Sequence, residues 1–97
     1  MSIEHIERFQ KLHLKVKEAC EQAVNEGGGS KSYDGRISFS IDLPPFYEED
    51  SAPLYHIHLQ CYLIGPARSY DWFGLTPDEC LDKAEADIDY YIKSERY

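Results

Sequence analysis

Three groups of residues in this 97-residue chain have the types and spacing that could do chemistry. His56 and His58 stand two apart, so on a strand their imidazoles project from one face, close enough to share a metal ion. A metal centre needs at least a third ligand, and no acidic residue stands at a companion spacing on the same stretch, so the pair reads as surface or interface histidines and no metal is expected. Cys61 and His58 are separated by an odd number of positions, which sends them to opposite faces of a strand and excludes a thiol–imidazole nucleophile. Cys20, Cys61 and Cys80 are odd in number and fall inside periodic apolar segments, the pattern of core thiols in a reducing compartment and not of a disulfide scaffold.

The segment Gly27 to Ser32 ends in Lys31-Ser32 like a phosphate-binding loop. That loop needs glycines where this chain has Asn25 and Ser30, and it leaves a strand, whereas this one follows a helical pattern. No catalytic set and no cofactor site emerges. The chain is expected to be non-enzymatic.

Charge is the stronger signal. Ten basic against eighteen acidic residues give a net charge of −8, which repels nucleic acid and anionic membrane surfaces. Residues 77 to 97 hold three basic and seven acidic side chains, a net −4 and half of the total. Within them, Asp78, Asp82, Glu85 and Asp89 fall at about 0°, 40°, 340° and 20° on a helix, one narrow row with axial steps of about 6, 4.5 and 6 Å. A DNA strand advances about 3.4 Å per phosphate, so the row approximates a phosphate ladder in sign and order of spacing. A second patch, Glu48, Glu49 and Asp50, follows Tyr47. Tyrosine brings area and a polar tip to an interface at low entropic cost, which adds Tyr47 and Tyr90 to the candidate partner-binding residues.

The elements that must position these residues are legible in the hydrophobic periodicity. Ile6, Phe9, Leu12, Val16, Ala19 or Cys20, and Ala23 recur at steps of three and four, predicting a helix over Ile3 to Asn25. Arg36 to Leu43 alternates, with Ile37, Phe39, Ile41 and Leu43 on the core side, and Pro44-Pro45 ends the strand. Leu54 to Ile64 alternates again, with Tyr55, Ile57, Leu59 and Cys61 inward and His56, His58 and Gln60 outward. Arg68 to Phe73 predicts a third strand. Thr76, Pro77 and Glu79 then form an N-cap, first-turn proline and capping-box signature for a second helix reaching Ser94. The expected fold is α+β in the order α-β-β-β-α, a single domain over residues 1–97. It has a two- or three-stranded antiparallel sheet and both helices on one face. The N-terminal residues lack an apolar targeting core and no eighteen apolar residues run together, so a cytoplasmic location is expected.

In size, acidity and element order the chain resembles the phage-encoded anti-CRISPR inhibitors directed at type I-F surveillance complexes. The resemblance implies stoichiometric inhibition in the host cytoplasm, through binding to Cas subunits at a lysine- and arginine-rich cleft that reads the PAM and holds target DNA. Locally, Phe73-Gly74-Leu75-Thr76-Pro77-Asp78-Glu79-Cys80-Leu81, with Ala84 and Ile88 to Ile92, is similar to the strand-to-helix segment of HicB-like antitoxins, which sequester a basic toxin ribonuclease. The working expectation is a DNA mimic whose Glu48, Glu49, Asp50, Asp78, Asp82, Glu85 and Asp89 meet basic side chains of a nucleic-acid-binding protein. Reversal of Asp82 and Glu85 to lysine should abolish inhibition and leave the fold intact. The alternatives are the antitoxin and a small metal-dependent enzyme using the His56/His58 pair.

Overall fold

The computed structural model describes residues 2–27, 36–44, 52–61 and 69–94, with side chains of the first helix followed to Glu21 and of the second to Lys93. Its elements are α1 (Ile3–Gly27), β1 (Arg36–Asp42), β2 (Leu54–Gln60), β3 (Ser69–Gly74) and α2 (Pro77–Ser94). The sheet is an antiparallel meander in the order β1-β2-β3. The expected α-β-β-β-α architecture holds, with three strands. Tyr47, Glu48, Glu49 and Asp50 lie outside the described residues, as do the loop from Gly28 to Ser32, the residues from Tyr62 to Ile64 and Arg68.

The inward alternation Ile57-Leu59 on β2 and Tyr70-Trp72 on β3 builds the floor of the core. Against it pack Leu12, Val16 and Cys20 from α1 and Cys80, Leu81, Ala84 and Ile88 from α2. Both helices therefore cover the same face: Phe9 of α1 meets Phe39 of β1, and Cys20 touches Cys61, while α2 lies over β3 and β2. Burying side chains of this size contributes about 1.5–3 kcal/mol each, the main term holding the layers together.

One expectation of the hydrophobic pattern needs correction. Leu43, read as the last inward residue of β1, lies beyond the strand and is 76% exposed, and Ile41 is exposed as well. Of the two helices, α2 lies over β3 and β2, and the far end of the edge strand β1, past the Phe9–Phe39 contact with α1, extends beyond their cover. Alternation reports which side a residue faces, but coverage depends on what lies above it.

The β3–α2 junction is tightly built. A Cβ on Gly74 would stand 2.7 Å from the Cys80 backbone nitrogen, so only glycine lets the chain reverse this closely beneath the first turn of α2. Thr76 Oγ1 accepts the Glu79 N–H at 3.1 Å, as an N-cap should. Glu79 reaches back, but to the N–H of Leu75, one residue before the N-cap, at 3.1 Å. That bond and the Lys83 ammonium hold its carboxyl below the usual range.

Candidate functional site

The acidic row forms along α2, and α1 lies beside it. Arg8 Nη1 bonds Asp78 at 3.1 Å, and its Nη2 bonds Asp82 at 2.7 Å and Glu85 at 2.8 Å. Two turns further on, Lys15 Nζ bonds Asp89 at 2.7 Å. His5 joins at the end of the row. Its Nδ1 accepts the N–H of Ser2 at 3.1 Å, which leaves Nε2–H to donate to Asp78 at 2.9 Å. The positions of Arg8 and Lys15, seven apart, are about two helical turns, so one face of α1 presents its cations in step with the carboxylates of α2. The four carboxylates thus face two permanent cations. Hydrogen bonds to Glu85 and Asp82 raise the pKa of the Arg8 guanidinium further above its already high ordinary value.

Sequence periodicity placed the row on one stripe but gave no sign that it is partly neutralised within the molecule. The mixed charge of α1 supplies candidate cations, and only the packing of the two helices reveals which basic residues meet which acidic ones. Asp78 and Asp82 nonetheless keep 65% and 70% of their side-chain surface open to solvent. Tyr90, 67% exposed beside Asp89, rests against Tyr91 with ring centroids 5.8 Å apart. These five residues, Asp78, Asp82, Glu85, Asp89 and Tyr90, are brought to one helix.

On the opposite side of the sheet lies a second cluster. His56 and His58 project from β2 away from the helices, and the register places Asp71 of β3 directly opposite His58. His56 Nε2–H donates to Asp71 Oδ1 at 2.7 Å, and His58 Nδ1–H donates to the same oxygen at 2.8 Å. The two bonds, His58 first, hold the Asp71 carboxyl below its ordinary range. Phe73, the β3 neighbour of His56, stacks on that imidazole at 4.4 Å and 11°. The acidic residue missing from the histidine strand is supplied across the ladder by its neighbour. Asp71 was a sequence-visible carboxylate, but its pairing with His58 depends on strand register, which the sequence does not state.

The thiols behave as core residues. Cys20, Cys61 and Cys80 are all buried. The contact with Cys61 at 2.8 Å, together with burial, raises the Cys20 pKa, and burial raises that of Cys80. A residue that sequence reading passed over is Asp87, whose Oδ2 accepts the indole N–H of the single tryptophan, Trp72, at 2.7 Å. No helix among the described residues is long and apolar enough to cross a membrane. No protein-family model, curated protein or solved structure matches this chain.

Proposed function

We propose that this chain is a non-enzymatic inhibitor whose α2 edge, Asp78, Asp82, Glu85, Asp89 and Tyr90, docks on the cationic cleft of a nucleic-acid-binding protein and excludes DNA. The resemblance in size, charge and layout names the Cas subunits of a type I surveillance complex as the partner to test first. The observation that carries the reading is an ordered row of carboxylates in two-to-one excess over the cations beside it, with Asp78 and Asp82 largely open to solvent.

The pairing with α1 sets the energetics. Exposed ion pairs contribute about 0.2–1 kcal/mol each, so exchanging Arg8 for an arginine of the partner is nearly neutral. Net attraction then comes from the excess carboxylates, and it speeds encounter more than it deepens affinity, with strong sensitivity to salt. Arg8 and Lys15 also hold the carboxylates in place before binding, which lowers the ordering cost on association.

This arrangement changes the appropriate variant. Lysines at positions 82 and 85 would face Arg8, so loss of inhibition there would be confounded with loss of fold. The triple variant Arg8→Met/Asp82→Asn/Glu85→Gln removes the charges together. In a DNA-binding competition assay with a purified type I-F complex, the natural chain is expected to displace target DNA and the triple variant to fail. Arg8→Met alone should associate faster at low salt, because the row then carries one more unit of net negative charge. Undiminished inhibition by the triple variant would refute the proposal. Suppression of a small basic ribonuclease, with the surveillance complex unaffected, would instead support an antitoxin.

A further inference from the structure

We propose that His56, His58 and Asp71 form a binding site for a divalent first-row transition ion, of which zinc is the probe, on the open face of the sheet. The site is separate from the acidic edge of α2 and independent of the function proposed for it. Three features carry the inference: the donor set, its geometry and the way it is held.

Two imidazole nitrogens and one carboxylate oxygen are a mixed donor set that suits zinc, iron or nickel, whereas calcium and magnesium favour all-oxygen shells. One ring nitrogen of His56, one of His58 and a carboxylate oxygen of Asp71 all lie within 4.8 Å of one another. The two nitrogen–oxygen edges are 2.7 and 2.8 Å. At a metal–ligand length of about 2.05 Å such an edge subtends about 85°, near the right angle between adjacent ligands on one face of an octahedron. A tetrahedral zinc would need those edges opened to about 3.3 Å, within reach of side-chain rotation. With the edge between the two ring nitrogens, within 4.8 Å here, closed to about 2.9–3.3 Å by side-chain rotation, the three ligands would occupy one side of the ion and leave its remaining positions toward solvent, where water or a donor from a partner completes the shell.

The ligands come from paired strands, so the backbone ladder sets their separation. Phe73 stacked on His56 restricts the ring, and Ser38 and Ser40 of β1 stand opposite His58 and His56 in the register. Without an ion, each ring turns its N–H toward Asp71 Oδ1. On metal binding a neutral ring carries its proton on the other nitrogen, Nδ1 for His56 and Nε2 for His58, and the freed lone pairs meet the ion. The central oxygen that receives two hydrogen bonds becomes the third ligand. An ion must sit beside the present hydrogen-bond lines, so the two rings and the carboxylate turn about their side-chain torsions to aim their lone pairs at it, while the strand ladder keeps the three donors close.

Calorimetric titration of the full chain with zinc chloride tests this directly. One equivalent is expected to bind. The double variant His56→Gln/His58→Gln should weaken binding by more than the roughly 10–100-fold that loss of an outer-shell partner costs, and Phe73→Ala by about tenfold. His13→Gln, on the exposed side of α1, should titrate like the natural chain. Should the double variant fail to fold, the imidazole nitrogen resonances of the natural protein decide: zinc should shift those of His56 and His58. Absence of a zinc isotherm, an unchanged isotherm in the folded double variant, or zinc leaving both sets of ring resonances in place would each overturn the proposal.

Discussion

Replacing Arg8 with methionine tests whether the α1–α2 seam is an ion-pair lock. The guanidinium bridges three carboxylates at 2.7 to 3.1 Å with 31% of its side chain exposed. Exposed pairs contribute about 0.2–1 kcal/mol each, and Glu85, the least exposed of the three acids, belongs near the upper end. Removing the cation also leaves Asp78 facing Asp82, and Asp82 facing Glu85, at helical i,i+4 and i,i+3 spacing, a repulsion of a few tenths of a kcal/mol per pair. Methionine keeps most of the aliphatic stem, so the packing loss is small. The expected cost is about 2 kcal/mol, which in a domain of this size lowers Tm by about 8–16 °C. Thermal unfolding followed by circular dichroism measures it. The gap from the natural chain should narrow when salt rises from about 0.1 M to about 1 M, as the screening length falls from about 10 to about 3 Å. Lys11→Met, elsewhere on the exposed surface of α1, should stay within about 0.5 kcal/mol. An Arg8→Met variant as stable as the natural chain, or a deficit indifferent to salt, would refute the lock.

Other consequences can be measured separately. Glu79 titrates below its ordinary value of 4.5 in the fold, so its carboxylate stabilises α2 above that pH and the benefit is lost as pH falls through the depressed value. Glu79→Gln should therefore unfold at lower urea than the natural chain at about pH 7, with the gap shrinking as pH falls below 4.5, and a gap that does not shrink in acid would contradict this. Asp87→Ala leaves the Trp72 indole N–H without its acceptor and should cost about 1–3 kcal/mol, with a shift in tryptophan emission; unchanged stability and emission would show the bond to be inconsequential. Under native conditions none of the three thiols should react quickly with a disulfide reagent, whereas all three should react in denaturing urea; rapid native labelling would contradict their burial.

The order and type of the elements were set by the chain itself, because periods of 3.6 and 2 are local properties. Leu12 and Val16 are buried where the helical stripe put them, as are Ile57 and Leu59 on their strand, and Thr76 caps the helix it announces. The acidic row was legible for the same reason: four carboxylates at i, i+4, i+7 and i+11 share a stripe wherever that helix lies. Packing and register decided the rest. Whether the row meets solvent or Arg8 depends on how α1 lies against α2, an encounter between residues 70 to 77 positions apart. Whether the histidines have a third ligand depends on β2 and β3 aligning His58 with Asp71; a slip of one residue would turn Asp71 to the buried face. Local patterns specify which way a side chain points, and only tertiary contact specifies what it finds there.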